Sequence, residues 1–200
     1  EVQSLIRMFQ EIYVMFDFRQ VRIALSFRPE KRAGSDEMWD KAEAILKTVI
    51  SETGLPHDTI SGEGAFYGPK VDFFVPDALD REWQLGTIQL DFSLPERFDL
   101  EYVTDDGSRQ RPVMLHRAML GSLERFIGIL IEHFAGAIPV WLAPVQAVVI
   151  PIADRHHEYA LRLAHRLRSD GFRVTANTRN QRMNLKIREA QLQKIPYMLV

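Results

Sequence analysis

Four stretches hold residues whose types and spacing could do chemistry. The first, Gly62-Glu63-Gly64-Ala65-Phe66-Tyr67-Gly68-Pro69-Lys70, joins three glycines to aromatic side chains and a cation. Glycines let a backbone pass close to a ligand, and Lys70 offers a point charge suited to phosphate or carboxylate. The GK[ST] ending of a P-loop is missing, and a hairpin turn accounts for the same glycines. The second is Trp83-Gln84-Leu85-Gly86-Thr87-Ile88-Gln89-Leu90-Asp91-Phe92. On a strand, Thr87, Gln89 and Asp91 face one way and Ile88, Leu90 and Phe92 the other. That pattern fits a polar pocket floor on a packed sheet, or a sheet edge open to solvent. The third pairs His116 and Arg117, after the β-prone run Pro112–Leu115, with Gly121–Arg125 opening a helix. A strand end and the first turn of the next helix are well placed to meet an anion or nucleotide. A lone histidine is more often structural than a zinc ligand, because zinc wants three or four ligands. Ser122, His116 and Asp91 assemble a hydrolase triad only on paper, since no G-x-S-x-G elbow supports it. The fourth is Arg179-Asn180-Gln181-Arg182, followed by Lys186 and Arg188. Asn and Gln can read base edges and Arg and Lys can meet phosphates, although a solvated helix face has the same composition.

The elements that must position these residues follow from periodicity and punctuation. An amphipathic helix opens the chain, and Val21–Phe27 alternates as a strand. Ser35 caps a helix whose apolar positions run through Met38, Ala42, Ile45, Leu46 and Val49 to Gly54. Strands are predicted at Lys70–Val75, Trp83–Phe92 and Phe98–Val103, with Asp105-Asp106-Gly107 turning a hairpin into Arg111–Leu115. A helix from about Gly121 to Phe134 presents Phe126, Ile129, Leu130 and His133 on one face. Past Pro139–Pro144 the grammar becomes βαβαβ. It comprises a strand at Ala147–Ile152, a helix capped by Asp154 and closed by Gly171, a strand at Phe172–Ala176, a helix at Asn184–Lys194 and a strand at Pro196–Val200. That alternation implies a parallel or mixed sheet covered by helices.

Composition bounds the reading. With 46% hydrophobic and 26% charged residues, the 200-residue chain is of ordinary globular type rather than disordered. No apolar run approaches the ~20 residues of a membrane span, no signal-peptide pattern opens the chain, and a cytoplasmic location is expected. The absence of cysteine excludes disulfides, thiol nucleophiles and a cysteine-based zinc site from within these residues. The net charge of −2 divides into −8 over residues 1–142 and +6 over residues 143–200, so two units with different partners are expected, the second facing nucleic acid. The first residues lie inside a helix and the last inside a strand, so a fragment of a longer protein is expected.

Several of these stretches, in order, are familiar together. GEGAFYGPK, WQLGTIQLDFSLPERF, VMLHRAMLGSLERFIGIL, WLAPVQ and NLKIREAQLQKIPYMLV resemble the bacterial threonyl-tRNA synthetases, a family of class IIa aminoacyl-tRNA synthetases, and the resemblance runs from Glu1 to Val200. It implies an α+β fold followed by an α/β one. Residues 1–142 would be the C-terminal portion of a class II catalytic domain, an antiparallel sheet with flanking helices. Residues 143–200 would be a truncated anticodon-binding domain with a mixed sheet. The implied activity is threonine–tRNA ligation through threonyl-adenylate, with ATP, threonine and tRNA(Thr) as partners, a homodimer as the full-length state and no membrane. Arg125, with Ser122 beside it, would engage ATP from class II motif 3. Gln84 and Thr87 match positions around the adenylate, Tyr67 and Gln89 match threonine contacts, and Lys70 matches a lysine of the same pocket. His116 matches one ligand of a catalytic Zn2+ whose other ligands lie upstream of residue 1, Mg2+ accompanies ATP, and Asn180 matches an anticodon contact. The fragment alone is expected to be inactive. Alternatives are a non-catalytic synthetase-like tRNA-binding module, or another class IIa synthetase such as the prolyl type.

Overall fold

A computed structural model describes residues 1–200, which divide into two compact units, Glu1–Ile127 and Gly128–Val200. None of its helices is long and apolar enough to cross a membrane.

The first unit is built on a five-stranded sheet in the order β2-β1-β3-β4-β7. Its strands are β1 (Arg22–Ser26), β2 (His57–Ile60), β3 (Lys70–Pro76), β4 (Glu82–Asp91) and β7 (Met114–Ala118). β1 and β2 run parallel, joined through helix α2 (Asp36–Glu52), and every other neighbouring pair in this sheet is antiparallel. Alternation gives the three central strands one apolar face. Val71, Phe73, Val75 and Ile88 are all buried on it. Helix α1 (Val2–Met15) lays Ile6, Phe9 and Tyr13 on that face, where Phe9 stacks on Phe73 with ring centroids 4.5 Å apart. Tyr13 donates its hydroxyl hydrogen to the carbonyl of Met119 at 2.9 Å, while burial raises its pKa. α2 starts as expected, with Ser35 Oγ accepting the Met38 N–H at 3.3 Å, and Trp39, Ala42, Leu46 and Ile50 form its buried stripe.

The strand expected at Phe98–Val103 is reduced to β5 (Tyr102–Val103), because a short helix, α3 (Ser93–Arg97), precedes it and Asp99 adopts a left-handed φ of 49°. The Asp105–Gly107 turn does close a hairpin. Its returning strand is β6 (Arg109–Gln110), and Met114–Ala118 pairs with β4 instead.

Helix α4 (Leu123–His133) runs through the division between the units. Its Phe126, Ile129 and Leu130 are buried, but His133 is exposed rather than on the packed face. The second unit carries β8 (Ala147–Val149), β9 (Val174–Ala176) and β10 (Tyr197–Leu199) in the order β10-β8-β9, paired in parallel. Helix α5 (His157–Ser169) buries Ala160 and Ala164 with Val149 and Val174, and helix α6 (Met183–Leu192) buries Ala190 with Val148 and Ile150. Asp154 does not cap α5. It begins a single 3-10 turn ahead of the helix and pairs with His157 at 3.3 Å.

Candidate active site

The second face of the β1-β3-β4-β7 sheet is polar, and strand register arranges it in rows. Ser26, Lys70, Gln89 and His116 lie side by side across β1, β3, β4 and β7. One row along come Ala24, Asp72, Thr87 and Ala118. The polar positions of β4 therefore lie inside the sheet rather than on its edge, since β4 has neighbours on both sides. Arg117, beside His116 in sequence, is opposite Ile88 in register and so belongs to the other face.

Gln84 reaches this face through a break in the strand. Phe73 is paired with Gly86 and Phe74 with Gln84, which leaves Leu85 as an extra residue, a β-bulge. Strict alternation would turn Gln84 to the apolar side with Ile88. The bulge brings it round to Asp72, whose Oδ1 accepts the Gln84 Nε2 hydrogen at 2.7 Å. Asp72 Oδ2 also holds Lys70 Nζ at 2.8 Å.

The glycine loop runs beside β4. Pro69 and Tyr67 carbonyls accept the N–H groups of Leu90 and Phe92 at 3.0 and 3.2 Å. Tyr67 donates its hydroxyl hydrogen to Gln89 Oε1 at 2.6 Å, and its ring meets His116 edge-on at 6.0 Å. Burial, with the Asp91 charge added, raises the Tyr67 phenol above its ordinary pKa, although Lys70 opposes the shift.

His116 and Asp91 form a carboxylate–histidine pair, with Nε2 and Oδ2 2.7 Å apart. The Asp91 side chain is buried, and its Oδ1 also accepts the Ser93 and Leu94 N–H groups at 2.8 and 3.0 Å, which starts α3. Burial alone would raise the Asp91 carboxyl. Donation from His116 and from the Leu94 and Ser93 backbone outweighs it and holds the pKa below its ordinary value.

Arg125, in the first turn of α4, is anchored from two sides. Its Nη1 donates to the Gln84 carbonyl at 3.0 Å, and its guanidinium carbon lies 5.6 Å from the centre of the Trp83 ring. Ser122 Oγ accepts the Arg125 N–H at 3.2 Å. Trp83 is itself pinned, its indole N–H donating to Asp77 Oδ2 at 2.8 Å. Thr87 Oγ1 is buried and has no hydrogen-bond partner.

Tyr67, Lys70, Gln84, Thr87, Gln89, His116, Ser122 and Arg125 thus all belong to the first unit, and all but Ser122 and Arg125 are tied to the polar face by register or by the contacts above. Asn180 belongs to the second unit, exposed in the loop that leaves the carboxyl end of β9. Open α/β sheets bind ligands at strand carboxyl ends where strand order reverses, and β8 is such a place, with β9 on one side and β10 on the other. Beside this loop, a groove of about 260 Å³ is lined by residues including Asn177, Arg179 and Glu189. Asp72, Asp77 and Trp83 were not anticipated as site residues. The signal for Asp72 was a carboxylate two residues from Lys70 inside an otherwise apolar strand.

A carboxylate–histidine pair and an ammonium share one sheet face, and a guanidinium lies over Trp83 of β4; groups of this chemistry suit an anionic substrate. Residues 1–134 match the tRNA synthetase class II core domain (G, H, P, S and T), and residues 146–200 match the anticodon binding domain. The chain belongs to the class II aminoacyl-tRNA synthetase family. Within that class its relatives are threonine–tRNA ligases. The enzyme of Methylococcus capsulatus is 56% identical over 200 residues, and that of Alkalilimnicola ehrlichii is 58% identical over 200 residues. Each alignment takes in 100% of this chain and 31% of the relative, so the chain spans about a third of the curated relatives it matches. Among solved structures, the RNA binding domain of threonyl-tRNA synthetase from Cryptosporidium parvum Iowa II superposes with a TM-score of 0.94 at 42% identity, covering 98% of this chain and 50% of that one. A putative threonyl-tRNA synthetase from Aeropyrum pernix superposes at 0.83 with 30% identity, covering 99% of this chain and 49% of that one. An apo histidyl-tRNA synthetase from S. aureus, at 15% identity and a TM-score of 0.54, shares the fold alone.

Proposed function

We propose that these residues belong to an enzyme that activates threonine with ATP and transfers it to the 3′ end of tRNA(Thr). Residues 1–142 would supply part of its catalytic domain and residues 143–200 part of its anticodon-binding domain. The observation that carries the reading is the row Lys70–Gln89–His116, with the buried, unpartnered hydroxyl of Thr87 one row along. A buried hydroxyl without a partner costs stability, so its persistence on this face is consistent with a ligand that satisfies it.

In the first step the threonine carboxylate attacks the α-phosphorus of Mg2+-ATP, forming threonyl-adenylate and releasing pyrophosphate. Arg125 stacks on the adenine and pairs with phosphate, a double task that a planar guanidinium performs and an ammonium does not. Lys70 neutralises charge on the adenylate, while Gln84 and Thr87 position it. Tyr67 and Gln89, already bonded to each other, fix the amino acid. In the second step the terminal ribose hydroxyl of the tRNA attacks the activated carbonyl, and Asn180 contacts the anticodon. Most of the acceleration is positioning and charge stabilisation.

His116 suits one ligand position of a zinc ion. A ligating histidine gives its second ring N–H to a carboxylate, and Nε2–H donating to Asp91 leaves Nδ1 for the metal. No group of three or more His, Cys, Asp or Glu is assembled within these residues, so the other ligands would come from elsewhere in the protein. Zinc bound there would coordinate the substrate's amino and hydroxyl groups and so reject valine, which lacks the hydroxyl.

The test is threonine-dependent ATP–pyrophosphate exchange by the full-length gene product. Exchange with threonine but not valine is expected, with losses of about a hundredfold or more in His116→Ala and Arg125→Ala. Undiminished exchange in both variants would refute the site assignment.

A further inference from the structure

Asp72 is a deeply buried charged group of the polar face, 2% exposed and set between Ala24 and Thr87 in the register. Both of its oxygens are used, Oδ2 on Lys70 Nζ at 2.8 Å and Oδ1 on Gln84 Nε2 at 2.7 Å. We infer that Asp72 is a positioning residue that sets the direction of the Lys70 ammonium and the hydrogen-bond polarity of the Gln84 amide. This rests on the synthetase reading of the same face.

The chemistry is one of donors and acceptors. An ionised carboxylate only accepts, so it requires the NH2 end of the Gln84 amide and turns Gln84 Oε1 away from itself. Gln84 then offers an acceptor to its ligand, suited to a hydroxyl or amino group rather than a phosphate oxygen. Lys70 sits on a flexible four-carbon stem with three donors, and the carboxylate selects one of its rotamers. Gln84 also meets Arg125, but through its backbone carbonyl, which accepts the Arg125 Nη1 hydrogen at 3.0 Å whichever way the side-chain amide is turned. In Asp72→Asn the new Oδ1 must serve Lys70, which has only donors. The new Nδ2 then faces Gln84 and forces its amide to flip, so that a donor is presented where an acceptor stood. The volume is unchanged and the polarity is inverted.

The experiment is a double-mutant cycle on threonine-dependent ATP–pyrophosphate exchange in the full-length protein, using Asp72→Asn, Gln84→Ala, Lys70→Ala and the two pairs with Asp72→Asn. Asp72→Asn is expected to lower kcat for exchange by about tenfold or more, through lost charge-assisted hydrogen bonds, and to leave the KM for tRNA in the charging reaction unchanged. Its penalty shrinks to about threefold or less once Gln84 or Lys70 is already alanine, since it acts through them. A purely structural role predicts the same fold-loss in every background, and that result overturns the proposal, as does unimpaired exchange by Asp72→Asn. Should Asp72→Asn fail to fold, Asp72→Glu keeps the charge, displaces the oxygens by one methylene and is read by the same cycle. Absence of threonine-dependent exchange in the unsubstituted protein refutes the synthetase reading itself, an outcome distinct from a flat cycle on an active enzyme.

Discussion

Replacing Gly68 with alanine tests whether the glycine loop is held against β4 as tightly as the structure places it. A Cβ at Gly68 would lie 1.9 Å from the Leu90 carbonyl oxygen and 2.7 Å from its carbon. Both are backbone atoms of a central strand, with no rotamer to move aside. To restore even 3.0 Å the loop must retreat by about 1.1 Å, the difference from 1.9 Å. That retreat carries two loop-to-strand hydrogen bonds, Leu90 N–H to Pro69 at 3.0 Å and Phe92 N–H to Tyr67 at 3.2 Å, beyond bonding range. Loss of both bonds at about 1 kcal/mol net each amounts to about 2 kcal/mol, inside the total of about 1–3 kcal/mol typical of overpacking, so the substitution is expected to destabilise by about 2–3 kcal/mol. For a chain of this size that lowers Tm by about 4–12 °C. Gly128→Ala makes the same chemical change inside α4, where a Cβ meets nothing within 4 Å, and it should stabilise by up to about 1 kcal/mol. Urea and thermal denaturation of the two variants, followed by far-ultraviolet circular dichroism, measure both. A Gly68→Ala variant within about 0.5 kcal/mol of the parent would show the loop free to relax and would refute the argument.

The remaining expectations concern anchors and caps. The Asp77 carboxyl would be raised by burial, but donation from Trp83, from the Arg81 and Leu79 backbone and from the Arg81 guanidinium holds it well below its ordinary value. Its contribution is therefore complete above about pH 4 and is lost as pH falls below that toward the folded value, so Asp77→Asn should flatten the acid limb of the stability–pH curve. An unchanged limb would contradict the assignment. Arg125→Lys loses the planar guanidinium proposed to stack on the adenine and should reduce exchange by the full-length protein about a hundredfold, with stability altered by less than about 1 kcal/mol; retention of half the activity would argue against that role. Ser35→Ala removes the α2 cap and should cost about 1 kcal/mol in urea titration without moving the KM for ATP or threonine.

Much of the frame was legible in local pattern. The alternation of Thr87, Gln89 and Asp91 against Ile88, Leu90 and Phe92 gave the two faces of β4, and the βαβαβ grammar gave the second unit. What escaped was set by non-local geometry. Helix α3 starts on the buried Asp91 carboxylate, two residues before its first residue, and Pro95 within it reads as a breaker. Strand β2 has only Ile60 as a β-branched apolar residue, and it is organised by parallel pairing with β1 across α2. The pairing of His116 with Asp91 joins residues 25 apart, and only the register of β4 and β7 brings them together. Of the site residues inferred from resemblance, Thr87 and Gln89 were compatible with one face, but Gln84 fell on the other until the bulge was seen, and the orienting role of the carboxylates was not visible until the strands were paired.

The extra residue in β4 also has a meaning for reading other chains. Polar residues that share one face of a regular strand are an even number apart, yet Gln84 and Thr87 are separated by three. The strand changes phase at Leu85, so positions before it count in the opposite parity from positions after it. Were the strand regular with the same sequence, the odd spacing would exile the glutamine to the apolar side, although composition and hydropathy would not change at all. In a strand, polar side chains at i, i+3, i+5 and i+7 are thus the written trace of a bulge. Spacing, more than residue identity, is what such a site must keep.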